Sequence, residues 1–262
     1  MDSDTCFAVQ ILIDWKGNLI MEFRVFDSAQ ALAQAEAERI AALLHDKPDA
    51  LLCIAAGHTS LPVFDALLEM QHRGALSFSR AKFVAMDEWL GMNRSTPDSC
   101  GDFLVKHFLS RADFAKDNVR LADGCARDAQ AECEELTRFI ADNGGLDYVL
   151  LGMGMNGHLA LNEPGVDFKL GAHVTGLDEV TQRVGQKYFA HGAALHGGLT
   201  LGVADLLAAR QVALHVTGAN KAAIAARLMS EPVSNALPAT AVRALPGARI
   251  WMDRAAAGAI AE

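Results

Sequence analysis

The chain has 262 residues, 51% of them hydrophobic, five cysteines, and a net charge of −9 from 23 basic and 32 acidic side chains. That length suits one large α/β domain or two small ones, and an acidic balance without long runs of one sign argues against a general binder of nucleic acid or anionic membranes. An odd number of cysteines with no C-x-x-C pair suggests neither a disulfide framework nor a zinc ribbon, and no signal-peptide pattern or apolar run of transmembrane length is present, so a reducing cytoplasm is the expected setting.

In chain order, FAVQILID, WKGN and LIMEF precede residue 24 and read as a hairpin around a turn at Lys16-Gly17-Asn18, an N-terminal extension over residues 1–22, with Met21 as an alternative start. Ser28 then caps a helical pattern, SAQALAQAEAERIAALLHD. Buried strands are expected at LLCIAA (Leu51 to Ala56), FVAM (Phe83 to Met86), YVLLGM (Tyr148 to Met153), VALHV (Val212 to Val216) and RIWM (Arg249 to Met252). Helices are expected over Pro62 to Arg73, from Glu134 (EELTRFIADN), after Gly202, and over Asn220 to Met229. Short apolar runs alternating with helices predict an α/β fold: a Rossmann-like parallel sheet with helices on both faces. No repeat, low-complexity tract or proline-rich linker interrupts it, so residues 1–262 read as a single domain.

In such a sheet, ligands bind beyond the carboxyl ends of the strands, and three segments fall there. In AAGHTSLPVFDAL, a strand meets Gly57, His58, Thr59 and Ser60 and then a helix, a pattern that suits either a phosphate or an ordinary capped turn. In VAMDEWLG, Asp87 at a strand end is placed to be partly desolvated and to act as a base, or Asp87 and Glu88 cap a following helix. In GMGMNGHLALNEPG, His158 and Glu163 form a proton-transfer pair only if the segment is irregular, which Gly157, Pro164 and Gly165 favour. Asn156 and Asn162 can orient a neighbour or bind sugar hydroxyls, and a structural hydrogen bond from His158 is the alternative. No second His or Cys lies at ligand spacing, so no metal is expected.

Together, MDEW and GMGMNGHLALNEPG resemble the M-D-E-aromatic and G-x-G-x-[DN]-G-H-x-x-x-N-E-P segments of the glucosamine-6-phosphate deaminase/isomerase family. AGHTSLPVFDAL, HGGLTLGVADLLAARQVALHVTGANKAA and LPATAVRAL extend the resemblance over about Leu51 to Leu245. It implies the fold type shared by these deaminases, ribose-5-phosphate isomerase and CoA transferases, and an aldose–ketose isomerisation of an amino-sugar phosphate with loss of ammonia. No cofactor and no metal are implied. Carried over, Asp87 moves the C2 proton to C1, His158 opens the sugar ring, and Glu163 and Asn156 support the histidine. Lys221, Lys187 and the Gly57, His58, Thr59, Ser60 loop hold the phosphate. The expected partner is a phosphorylated amino sugar, with no nucleic acid or membrane, and the resemblance leaves a homo-oligomer open.

Departures from the family pattern stand at three positions. Asn156 replaces a frequent aspartate and carries no charge to hold an imidazolium, Ala56 removes a common hydroxyl, and His58 replaces a small residue. DEW, Asn156 and KPDALLCIA are similar to galactosamine-6-phosphate isomerase-type members, so glucosamine 6-phosphate and galactosamine 6-phosphate both remain candidate substrates. Two other readings stand beside these. A 6-phosphogluconolactonase shares the G-x-G-x-x-G-H core but usually lacks N-E-P and M-D-E-aromatic, and a sugar-phosphate sensor would not need Asp87, His158 and Glu163 together.

Overall fold

A computed structural model describes residues 10–13 and 19–261. The described strands are β1 (Gln10–Ile13), β2 (Leu19–Phe26), β3 (Leu51–Ile54), β4 (Lys82–Val84), β5 (Asp87–Trp89), β6 (Val119–Arg120), β7 (Tyr148–Gly152), β8 (His173–Thr175), β9 (Gly198–Thr200), β10 (Gln211–Val216) and β11 (Ala248–Asp253). The described α-helices are α1 (Ala29–Asp46), α2 (Leu61–His72), α3 (Cys100–Leu104), α4 (Ala129–Asp142), α5 (Glu179–Gly185), α6 (Val203–Leu207), α7 (Ala222–Ser230) and α8 (Arg254–Ala257).

The main sheet has the order β1-β2-β11-β10-β7-β3-β4-β6. Every neighbouring pair in it is parallel except β1 with β2, which is antiparallel. The arms of the expected N-terminal hairpin are therefore paired, while its Lys16-Gly17-Asn18 turn lies outside the described residues. A second, antiparallel sheet has the order β5-β9-β8 and was not anticipated from the sequence.

Burial explains the central strands. All four residues of β3, Tyr148 to Leu151 of β7 and Val212 to Val216 of β10 are buried, as strands covered on both faces must be. From β2 to β3 and β3 to β4 the chain advances towards β6, whereas from β6 to β7, β7 to β10 and β10 to β11 it returns towards β2. Right-handed crossovers then put α1 and α2 on one face, where they pack together, and α4 and α7 on the other.

The helix starts have local causes. Ser28 Oγ accepts from Ala31 N at 3.1 Å, and Asp128 Oδ1 accepts from Gln130 N and Ala131 N at 3.0 Å each. The Asp128 cap starts α4 five residues earlier than the EELTRFIADN pattern suggested. A buried polar network joins α1 to three strands: Glu36 accepts from Tyr148 Oη and faces His215 Nε2 at 2.8 Å, and Arg249 Nη2 donates to Tyr148 Oη at 2.7 Å.

At the opposite end of the strands from the cleft described below, Asp147 pins three of them. Its buried carboxylate accepts from Leu51 N at 2.8 Å and meets Lys47 Nζ and Arg210 Nη1 at 3.0 Å each. Asp147→Ala leaves the β3 amide without its acceptor, and the expected cost is about 2–3 kcal/mol in urea unfolding; an unchanged midpoint would show that water replaces the carboxylate.

Candidate active site

The strands β3 and β7 are neighbours, and the connections that follow them leave in opposite directions, opening a crevice at the carboxyl edge. Gly57, His58, Thr59 and Ser60 enter this crevice from β3, Met153 to Met155 and His158 from β7, Asp87 from β5, and Lys221 from the turn after β10. Lys187 and Tyr188, just beyond α5, complete the wall.

One end of the cleft gathers a helix start and two lysines. Ser60 N donates to Gly57 O at 3.0 Å, curling the loop, and α2 starts directly afterwards with Pro62 in its first turn, so the positive end of a helix of 12 residues faces the cleft. Burial pushes Lys221 down to about 8, and the neighbouring Lys187 charge adds to the effect. Burial lowers Lys187 as well. Two ammonium groups lowered by burial regain their charged form beside an anion.

The His58 imidazole stacks on the Tyr188 ring, with centroids 5.2 Å apart and planes 12° from parallel, and Lys187 Nζ lies 4.9 Å from the centre of the same ring. Burial, then the charge of Lys187, hold His58 below the usual histidine range. Its ring therefore forms wall beside the loop.

A tight turn builds the second group of residues. Asn162 N donates to Leu159 O at 2.9 Å, and Ala160 takes a positive φ of 52°, so the chain reverses between Leu159 and Asn162 and sets His158 opposite Glu163. His158 Nδ1 lies 2.9 Å from Thr181 Oγ1 and 3.4 Å from Glu163 Oε2. Asn156 Nδ2 donates to Glu163 Oε2 at 2.7 Å, while Asn156 Oδ1 accepts the backbone N–H of His158 at 3.2 Å. Burial works to raise the Glu163 proton affinity, but the bonds from His158, Thr181 and Asn156 outweigh it and hold the carboxyl below its ordinary value. With Nδ1 engaged, Nε2 is the ring nitrogen left for the cleft. Gly154 makes this possible: a Cβ there would lie 2.4 Å from the His158 ring.

The third element is Asp87. The apolar strand β4 ends at Val84, and Asp87 belongs to β5, paired with Thr200 across the small sheet. It caps no helix. Burial, then the Glu88 charge, raise Asp87 to about 7, which makes it a carboxylate able to take up a proton near neutrality.

Eight of the ten residues singled out from the sequence line this one cleft: Gly57, His58, Thr59, Ser60, Asp87, His158, Lys187 and Lys221. Asn156 and Glu163 stand behind His158 and Thr181, which line the cleft, and bond to both. Asn162, read as a neighbour-orienting residue or a sugar contact, is fully buried and clips the turn, donating to Leu159 O and Leu201 O at 2.9 Å each. Thr181 and Tyr188 were missed, and nothing in DEVTQRVGQKYF marks them. Among the described residues, no group of three or more His, Cys, Asp or Glu side chains is arranged to hold a metal ion. No described helix is long and apolar enough to cross a membrane.

Comparison with known proteins adds a lineage to this geometry. A family model described as glucosamine-6-phosphate isomerases/6-phosphogluconolactonase matches residues 26–251. The protein named "Putative deaminase AgaI" of Escherichia coli is 35% identical over 229 residues, covering 85% of this chain and 90% of that protein. The glucosamine-6-phosphate deaminase of Bacillus velezensis is 34% identical over 230 residues, covering 87% of this chain and 95% of that protein. The solved structure of a monomeric glucosamine-6-phosphate deaminase superposes with a TM-score of 0.86 at 29% identity, covering 90% of this chain and 98% of that chain. A Trypanosoma brucei 6-phosphogluconolactonase, at 20% identity and a TM-score of 0.70 over 91% of this chain and 98% of that one, shares the fold.

Two pH dependences follow from the cleft. Inorganic phosphate binding, followed by calorimetry, is expected to weaken as the pH rises through about 8 and Lys221 loses its proton; Lys221→Met should bind weakly at every pH, and a wild-type affinity that stays flat from pH 7 to 9.5 would remove Lys221 from the anion site. Asp87 titrates near its ordinary value when unfolded and at about 7 when folded, so its ionisation costs stability that grows from about pH 4 to 7 and is constant above. Asp87→Asn should therefore stabilise the protein by on the order of a few kcal/mol at pH 8 and hardly at all at pH 3.5. Equal denaturant midpoints for the two proteins at pH 8 would contradict the raised proton affinity.

Proposed function

The chain belongs to the family of glucosamine-6-phosphate isomerases and 6-phosphogluconolactonases, and we propose that within it the protein is a hexosamine-6-phosphate deaminase. The observation that carries this reading is the pairing of a buried carboxylate of near-neutral proton affinity with a histidine–glutamate–threonine cluster across one cleft whose far end holds two lysines. A carbon acid needs the first and a sugar ring oxygen the second. The lysines and the Gly57 to Ser60 loop supply a handle for a 6-phosphate, whose binding energy positions the reacting carbons.

In this reading His158 Nε2 takes the proton from the anomeric hydroxyl and returns one to the ring oxygen as the C1–O5 bond breaks, leaving the open-chain amino aldehyde. Thr181 and Glu163 hold the imidazole through Nδ1 while its charge changes. Asp87 then removes the C2 proton, the electron pair forms the C1=C2 double bond, and the aldehyde oxygen takes up a proton from the substrate's own C2 ammonium group. Return of the proton from Asp87 to C1 leaves a protonated C2 imine. Water adds to it, ammonia departs, and the ketohexose 6-phosphate remains, so the net change is hydrolysis of a carbon–nitrogen bond with one water consumed. Only protons move between the groups named, and each returns to its starting state.

The substrate is a glucosamine or galactosamine 6-phosphate, two sugars that differ only in the direction of the C4 hydroxyl. The free thiols of Cys53, Cys100 and Cys133, all buried, accord with work in a reducing cytoplasm.

Ammonia release measured on the 6-phosphates of glucosamine, galactosamine and N-acetylglucosamine, with 6-phosphogluconolactone as control, tests the proposal. At least one of the two unacetylated amino-sugar phosphates should react and the acetylated one should not. Lactone hydrolysis without ammonia release from any sugar would instead make the protein a lactonase. Asp87→Asn should lower kcat by about 10³-fold or more while phosphosugar binding remains measurable by calorimetry; turnover within tenfold of wild type would mean another group moves the C2 proton.

A further inference from the structure

The two lysines at the loop end of the cleft are held in different ways. Lys221 is half-buried, and its ammonium donates to the backbone carbonyl of Met153, just beyond β7. Lys187 is exposed, and the contact that orients it is aromatic: Nζ lies over the Tyr188 ring, 4.9 Å from its centre. A long exposed side chain samples many rotamers, and an anion that binds it must overcome the entropy of fixing it unless something else has fixed it first.

That something else is a row of rings. Tyr188 ends the short turn Gln186–Tyr188 that follows α5, and it stacks on the imidazole of His58, with centroids 5.2 Å apart and planes 12° from parallel. The phenol also reaches the start of the loop, since a Cβ added at Gly57 would lie 3.8 Å from Tyr188 Oη. His58 in turn meets Phe103 edge to face, with centroids 6.2 Å apart and planes at 83°, and Phe103 on α3 packs against the main core. The rings therefore run from α3 through the Gly57 to Ser60 loop to the turn after α5, and the last of them carries Lys187. The backbone of that turn is tied down separately: Ala190 N donates to Asp98 Oδ2 at 3.2 Å, and the Gln186 side chain bonds Ala193 N and O at 2.9 and 2.8 Å. Removing a ring thus frees the lysine without releasing the segment.

We propose that His58 and Tyr188 are positioning residues for the phosphate of the substrate: the His58 ring seats Tyr188, Tyr188 seats the Lys187 ammonium, and the loop thereby sets where the second cation stands. The proposal deepens the hexosamine-6-phosphate reading and rests on its phosphate at this end of the cleft. It accounts for the departure at His58, because a small residue there would leave Tyr188 without a ring to stack on. Stacking of this kind depends on flat apolar faces and needs no donor. A different flat ring can therefore replace a seat, whereas a direct phosphate ligand must keep its N–H.

Two readouts on the whole protein test the proposal: inorganic phosphate affinity by calorimetry, and the Lys187 Hε resonance in 13C-lysine-labelled protein, assigned by Lys187→Met. The Tyr188 ring current displaces that resonance upfield while the ammonium stays over the ring. His58→Gly and Tyr188→Ala should each weaken phosphate binding by about three- to tenfold and return the resonance towards those of the other exposed lysines. His58→Phe and Tyr188→Phe keep the rings and should stay within about twofold of wild type, with the upfield shift retained. Added to Lys187→Met, His58→Gly should cost less than about twofold more, because its effect passes through that lysine. Equal phosphate affinities for wild type, His58→Gly and Tyr188→Ala would overturn the proposal, as would an unchanged Lys187 resonance in His58→Gly. A His58→Phe variant as weak as His58→Gly would also overturn it, by making the imidazole a direct phosphate ligand. Wild-type protein that binds no phosphate would remove the anion site and the seat with it. Wild-type protein that binds phosphate but releases no ammonia from either amino sugar would overturn the deaminase reading instead, and the affinities and the resonance would still decide whether His58 and Tyr188 seat Lys187.

Discussion

Everything in the cleft depends on the parallel pairing of β3 with β7. Parallel strands deliver their carboxyl ends to one edge of the sheet, and right-handed crossovers oblige the chain after β3 and the chain after β7 to depart towards opposite faces. A gap opens between two loops that the sheet itself cannot close. One loop brings the start of α2, with Gly57 to Ser60, and the other brings the turn that carries His158 and Glu163. The Asp147 carboxylate holds the amino ends of the same strands in register, and thereby fixes where their carboxyl ends fall.

Into this frame the protein places several buried carboxylates, and the donors each one finds distinguish them. Glu88 accepts three backbone N–H bonds, from Trp89 and from Cys100 and Gly101 at the start of α3. Glu163 collects a side-chain amide, a hydroxyl and an imidazole, which together keep it below its ordinary proton affinity despite burial. Asp87 has the Glu88 charge beside it, and burial, the larger influence, raises it to about 7. Supplying Asp87 with the backbone donors that Glu88 enjoys would make the protein more stable and the carboxylate less basic. The division of labour within Asp87-Glu88 is therefore electrostatic as well as geometric.

Much of this was legible in the sequence because its signals are local. The runs of β3, β7, β10 and β11 are short and mostly apolar, with His215 and Arg249 as isolated exceptions inside them, and Gly57 and Gly157 announce loops. The motif resemblance then brought Asp87, His158, Glu163, Lys187 and Lys221 together before any coordinates did. What stayed hidden is non-local. Three-residue strands such as β5, β8 and β9 carry no usable periodicity, and Asp-Glu-Trp reads more readily as a helix start than as a strand. Glu88 does serve a helix start, but one whose position only the folded chain reveals. Thr181 acquires its role from an imidazole 23 residues earlier in the chain, and Asn162 owes its burial to a carbonyl on Leu201.

The alternation along β5 carries a lesson about which changes the protein can absorb. Its antiparallel partner β9 pins Asp87 opposite Thr200 and Glu88 opposite Leu199, and these residues face opposite sides. Inserting one residue between Met86 and Asp87 would exchange the two carboxylates, sending the longer side chain into the cleft and leaving the helix start with a shorter one. The stretch thus has a reading frame in space. Side chains around it can drift through many substitutions, but a change of length there would alter catalytic identity at a stroke, so across divergent descendants this segment should keep its spacing more faithfully than its spelling.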